Sequence, residues 1–204
     1  MKLDIAKTHK PLYTATAAPQ LITVPEAKFL TISGKGDPDG STFAGSVQAL
    51  YTAAYSIKNH YKQQQQDFTV CKLEGLWWVD EAHNIKSHED ALQVPRSEWQ
   101  WQLLIHMPGY VTPAAAQNAI TSAFGKKKLP LLQAVSLITF EEGRCVQALH
   151  TGPFSTERVT LQRIVDFMAE HQLQWNGRHH EIYLSDPRKT PPEKLRTILR
   201  EPVK

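Results

Sequence analysis

From Glu98 to Met107 the chain alternates, with Trp99, Trp101, Leu103, Ile105 and Met107 on one side and Gln100, Gln102, Leu104 and His106 on the other, which predicts a strand. From Phe43 to Tyr61 the apolar step lengthens to three and four residues through Val47, Leu50, Tyr51 and Ala54, and Ser41 or Thr42 stands where a helix cap belongs. A second helix is expected from Thr112-Pro113 through Ala116, Ile120 and Phe124. A third carries Val159, Leu161, Ile164, Val165 and Met168 behind Ser155 or Thr156. Shorter strands are expected at Lys28 to Ser33, from Phe68 through Val79, at His179 to Leu184 and at Thr197 to Val203. Val135 to Leu149 reads as a hairpin turning near Glu141-Glu142-Gly143, and Asp80 to Ser97 as a long polar loop.

The pattern occurs twice. Leu21-Ile22-Thr23-Val24 opens one run and Leu137-Ile138-Thr139-Phe140 the other, and each proceeds through a strand, a helix and an apolar strand holding a glutamate, Glu74 or Glu181. The expected fold class is α+β: duplicated strand-helix-strand-strand modules forming a mostly antiparallel sheet, helices on one face, and a ligand cleft at the pseudo-twofold. The expected single domain, residues 1–204, divides into an arm (1–19), a first module (20–109), a connecting helix and linker (110–134) and a second module (135–204).

Composition narrows the function. With 41% hydrophobic residues in 204, the chain can bury a full core, and 23 Lys plus Arg against 20 Asp plus Glu gives no basic surface that would call for nucleic acid. Cys71 and Cys145 sit in apolar segments as small buried thiols. The first residues form neither a secretory signal nor a membrane span, and residues 1–19 are too short for a helix-turn-helix, so a cytoplasmic protein without direct nucleic-acid or membrane binding is expected. Oligomeric state is not encoded in any of these patterns.

Chemistry concentrates in the two glutamate strands. Alternation places Glu181 with Tyr183, and Glu74 with Leu76 and Trp78, so each half presents an acid beside an aromatic ring. Carboxylates on an ordinary core face carry a heavy desolvation cost unless paired, and a partly hydrated aromatic cleft suits them better. Glu181 is the candidate catalytic residue, its structural alternative being an ion pair with Arg178 or Arg188. Glu74, Trp77, Trp78, Tyr51, Tyr55, Trp101, Met107 and Tyr183 are the candidate ligand-binding residues. The nine histidines include His83 with His88 and the pair His179-His180, but neither set has a zinc spacing, and no metal or other cofactor is expected. No Gly-x-Ser-x-Gly elbow is present.

Four segments together carry a family resemblance: Leu73-Glu74-Gly75-Leu76-Trp77-Trp78, Trp99-x-Trp101 followed by Met107-Pro108, His150-Thr151-Gly152-Pro153-Phe154, and His180-Glu181-Ile182-Tyr183-Leu184-Ser185-Asp186-Pro187. The chain resembles, over nearly its whole length, the stand-alone GyrI-like small-molecule-binding proteins. The resemblance implies two strand-helix-strand-strand modules around a ligand cleft with a buried glutamate on its floor. It further implies hydrolysis of cyclopropanoid cyclohexadienone toxins, which are planar DNA-alkylating compounds. Phe154 departs from the pattern by replacing a tyrosine, which removes a hydroxyl from any role that hydroxyl plays.

The expected partner is a hydrophobic aromatic small molecule. The preferred function is a detoxifying hydrolase in which Glu181 activates water while a tyrosine hydroxyl or protonated acid stabilises the developing oxyanion; Glu181 acting as the acid is the alternative. A different class of function, sequestration of lipophilic cations by Glu181, Glu74 and the aromatic rings, uses the same residues. A topoisomerase-inhibiting interaction module is suggested by the family name alone.

Overall fold

The computed structural model describes residues 2–83 and 88–204. In chain order the main elements are α1 (Ile5–Thr8), β1 (Gln20–Val24), β2 (Ala27–Lys35), α2 (Ser41–Gln63), β3 (Glu74–Trp78), α3 (His88–Gln93), β4 (Gln100–Met107), α4 (Pro113–Lys127), β5 (Ser136–Phe140), β6 (Gly143–Thr151), α5 (Arg158–Glu170), β7 (His179–Tyr183) and β8 (Arg196–Pro202). The fold is α+β, and strand-helix-strand-strand order occurs twice, as β2-α2-β3-β4 and as β6-α5-β7-β8. The strands form one antiparallel sheet in the order β1-β6-β8-β7-β3-β4-β2-β5, with β3 and β7 joining the two runs at its centre.

Directly opposed residues of an antiparallel ladder share a face. The ladders therefore assign Leu30, Ile105, Leu103, Gly75, Glu181, Leu199 and Ala148 to one face, and Phe29, His106, Leu104, Glu74, Ile182, Ile198 and Leu149 to the other. The first face carries the long helices. α2 packs over β2 and β4, and α5 packs over β6 and β8 through Leu161, Ile164 and Met168 against Val146, Ala148 and Leu199. The arm before β1 fastens to the other face: the Tyr13 hydroxyl donates to Glu74 Oε1 at 3.0 Å, and Arg200 donates to the Leu12 carbonyl at 2.7 Å.

Two expectations change. Val135 to Leu149 is no hairpin: β5 and β6 run in the same direction, β5 pairing with β2 and β6 with β1, and the break at Glu141-Glu142 is a kink. Gly143 occupies the left-handed region there, with φ of +75°, and lets the chain turn Glu142 inward. The stretch from Asp80 to Ser97 contains the turn Glu81–His83 and α3; residues 84–87 lie outside the described residues, as does the side chain of His88, considered above with His83. Within the described residues, His83 Nε2 lies 2.9 Å from Glu98 Oε2, and no helix is long and apolar enough to cross a membrane.

The inward turn of Glu142 anchors a buried charge network on the face opposite the long helices. His180 Nδ1 lies 2.9 Å from Glu142 Oε1, and Arg200 donates to Glu142 Oε2 at 3.2 Å. His180 Nε2 stands 3.1 Å from Glu74 Oε2, an ion-pair approach off the hydrogen-bond direction. Burial alone would raise the Glu142 pKa, but His180 and Arg200 hold it below the ordinary carboxylate value. Burial likewise opposes charge on His180, yet Glu142 and Glu74 raise its pKa.

The signs of these shifts fix a pH window. The depressed Glu142 contributes stability that is present above its ordinary value of 4.5 and is lost as pH falls through the folded value. The raised His180 contributes stability that is fully present below 6.5 and is lost as pH rises through its folded value. Urea unfolding across pH should therefore show a maximum between the two, and Glu142→Gln should cost roughly 3–5 kcal/mol at that maximum by leaving His180 and Arg200 under-compensated.

Candidate active site

With α2 over one half of the sheet and α5 over the other, the strip formed by β3 and β7 is left between them on the helical face. Period-two alternation brings Gly75 and Trp77 from β3, and His179, Glu181 and Tyr183 from β7, onto this strip. The helices add rings at its sides. Phe43 of α2 stacks on Trp77 with centroids 5.7 Å apart, Trp99 meets Trp77 edge-on at 6.2 Å, and Phe154, just before α5, meets Tyr183 edge-on at 6.0 Å. α3 touches α5 and so reaches across from the first run to the second.

Gly75 sets the floor. A Cβ there would stand 2.9 Å from Trp77 Nε1 and 3.0 Å from the Tyr183 hydroxyl, so a glycine is what lets those two groups meet over the strand. The indole N–H donates to the Tyr183 oxygen at 2.9 Å. Burial, followed by the charge of Glu181, raises the Tyr183 pKa well above the phenolic value, which keeps its O–H as a donor.

Glu181 is held by a histidine, not by the arginines considered from sequence. His179 Nε2 lies 3.3 Å from Glu181 Oε1, and His179 Nδ1 lies 2.5 Å from Glu201 Oε1, giving a carboxylate–imidazole–carboxylate chain. Burial works against charge on His179, but Glu201 and Glu181 raise its pKa well above the ordinary histidine value. Arg178 instead lies over the Trp78 ring, 3.6 Å from its centroid, and Arg188 pairs with Asp186 at 2.9 Å. Glu157, at the start of α5, is buried, and its Oε1 has no hydrogen-bond partner among the described residues; burial, followed by the charge of Glu181, holds its carboxyl well above the carboxylate range.

The other candidate residues divide by face. Trp77 and Tyr183 share the strip with Glu181, Tyr51 is half-buried on α2, and Tyr55 stands next to Tyr51 but is 53% exposed. Glu74 does not join Glu181. It opposes Ile182, so it projects from the other face into the charge network with His180, and it is fully engaged there. Trp78 lies on that face as well, under Arg178. Trp101 is on the helical face but buried beneath Phe43 and against Gly34, and Met107 is core.

Sequence reasoning missed Phe43, Glu157, and the His179–Glu201 support. His179 carried a usable signal, because it falls two residues before Glu181 in a strand and therefore on the same face. Glu157 follows Pro153-Phe154 in the helix-opening segment and showed nothing to mark it as buried. Among the described residues no three His, Cys, Asp or Glu side chains converge in a metal-holding group. Two hollows lie on the face opposite the helices. One, among Tyr13, Glu74, His106, His180 and Arg200, has room for about one water. The other is an open depression of about 250 Å³ beside Leu76, Gln102, Phe140 and Arg178.

Comparison with known proteins agrees with this architecture. A crystal structure from Listeria innocua, of a protein described as an uncharacterized conserved protein, shares 40% identity over 100% of both chains with a TM-score of 0.90. A second from Listeria innocua, described as a hydrolase, shares 40% identity over 100% of both chains with a TM-score of 0.87. The C-terminal domain of EcmrR, at 10% identity, covers 91% of this chain and 96% of its own with a TM-score of 0.57, a likeness of fold alone. No curated protein matches the sequence at a significant level. The profile of the GyrI-like small molecule binding domain matches residues 103–204, half of the chain, and the protein belongs to the GyrI-like family.

Proposed function

We propose that the strip between α2 and α5 binds a flat, hydrophobic electrophile and hydrolyses it, with Glu181 as the base. The observation that carries this reading is the placement of Glu181: a carboxylate oriented by His179, beside a protonated tyrosine, on a floor walled by aromatic rings. The hydrolase description of a Listeria relative that is 40% identical supports it. The rings at this strip pack on one another, so a planar ligand enters by replacing a ring–ring contact with a ring–ligand contact of the same kind.

A cyclopropane-fused cyclohexadienone matches these groups. Water held by Glu181 attacks the strained ring carbon and yields a proton to the carboxylate. The carbon–carbon bond breaks, its electron pair passes into the ring system, and the dienone oxygen becomes a phenolate as the ring aromatises. The Tyr183 O–H hydrogen-bonds that oxygen as charge develops, while Trp77 Nε1 fixes the position of the tyrosine oxygen. His179 and Glu201 keep the Glu181 carboxylate aimed at the water and act as positioning residues.

Two measurements test this assignment. Glu181→Gln should lower product formation from a cyclopropane-fused cyclohexadienone by roughly 10²–10⁴-fold, followed by mass spectrometry, while retaining binding of the neutral substrate. Turnover at nearly the original rate would remove Glu181 from the chemistry, and binding without turnover in the unmodified protein would leave a sequestering module instead. Tyr183→Phe should lower kcat by about 10²–10³-fold with KM little changed, the signature of a donor that acts on the transition state.

A further inference from the structure

Glu157 has no part in the reaction just described, yet its situation is unusual. It is the residue immediately before α5, with backbone dihedrals of −58° and −29°, and its side chain makes no capping hydrogen bond. A carboxylate at a helix start normally accepts from first-turn N–H groups. This one is instead buried, with 9% of the residue exposed and Oε1 unpartnered among the described residues. Phe154, one turn earlier in the chain, lies against Tyr183, which places this segment along the wall of the strip. Burial raises the Glu157 pKa most; of the two charged residues of that strip which act on it, Glu181 raises it further and His179 lowers it. An unpaired buried carboxylate is costly, whereas a carboxylic acid is far less so and carries a proton it can give away.

We propose that Glu157 is a proton donor at the edge of the strip that carries Glu181, and that this acid–base pair adds water to epoxides carried on flat hydrophobic molecules. The inference rests on the assignment of Glu181 as the base. The difference between the two substrates lies in the departing oxygen. A dienone oxygen leaves as a phenolate, whose conjugate acid has a pKa of about 10, and a hydrogen bond from Tyr183 suffices. An epoxide oxygen leaves as an alkoxide, whose conjugate acid is nearly as weak an acid as water, so a whole proton must be delivered as the bond breaks.

The step balances without a redox partner. The water oxygen bonds to one epoxide carbon while the C–O bond at that carbon breaks. The electron pair of that bond goes to the departing oxygen, which takes the proton of Glu157. Glu181 takes the proton released by the attacking water. The product is a vicinal diol, and one proton returned from Glu181 to Glu157 through solvent restores the starting state.

The test uses the full chain with two probes, the arene oxide of phenanthrene and a cyclopropane-fused cyclohexadienone. Diol formation should exceed the buffer rate, and Glu157→Gln should lower it by about 10²–10⁴-fold while lowering dienone hydrolysis far less. Glu181→Gln should lower both. Glu157→Asp, which keeps an acid but draws it back by one methylene, should fall between the unmodified protein and Glu157→Gln on the epoxide, and it stands in should Glu157→Gln fail to fold. Dienone turnover with no diol above buffer would overturn the inference and leave the assignment of Glu181 standing. Equal loss of both activities in the Glu157 variants would reduce Glu157 to a structural role and overturn it as well. Failure of both substrates in the unmodified protein would remove the underlying reading itself.

Discussion

The antiparallel pairing of β3 with β7 is the constraint on which both charged regions depend. It joins the two strand-helix-strand-strand runs at the centre of the sheet, and it fixes which side chains of each strand face which way. His179 and His180 are neighbours in the chain, but one supports Glu181 under the helices and the other holds Glu74 and Glu142 on the far face. The strand backbone is therefore pinned from both sides. A shift of one residue in this ladder would exchange the two sets and bury the wrong carboxylate in each place.

The far-face network is a costly way to hold a strand. Taking Glu74, Glu142, His180 and Arg200 out of water carries a desolvation penalty, and apolar residues of similar volume would often serve stability as well or better. What the charges add is direction. Arg200 reaches both Glu142 and the Leu12 carbonyl, and Tyr13 reaches Glu74 and His106, so the arm, the kink at Glu142 and the central strands are tied to one another by bonds with fixed geometry. Burial keeps His106 neutral, its pKa lowered despite the nearby Glu74, so it takes part as a hydrogen-bonding ring and adds no further positive charge.

Much of this was legible in the sequence because periodicity reports burial directly. The apolar steps of α2, α4 and α5 and the alternation of β4 identify those elements, and the acid–aromatic pair Glu181 and Tyr183 falls on one face as alternation requires. The misplacement of Glu74 has a specific cause. Aligning it with Glu181 assumes a register that only the ladder can supply, and the ladder opposes Glu181 to Gly75. Glu157 was hidden for another reason: its burial follows from how α5 settles on β6 and β8, a tertiary fact with no local pattern. The supposed hairpin at Glu141-Glu142-Gly143 failed because a glycine in the left-handed region serves a kink as readily as a reversal.

The crossed pairing of the two leading strands also bears on how the chain reaches this structure. β1 precedes the first run but pairs with β6 of the second, and β5 precedes the second run but pairs with β2 of the first. During synthesis, β1 has no partner until residues beyond Gly143 have emerged, and the first run must wait with two unsatisfied strand edges. Contacts so distant in sequence favour slow folding and leave aggregation-prone edges exposed for longer. The two halves are consequently not separable folding units, and a ribosome or chaperone handling the nascent first half holds an unfinished sheet.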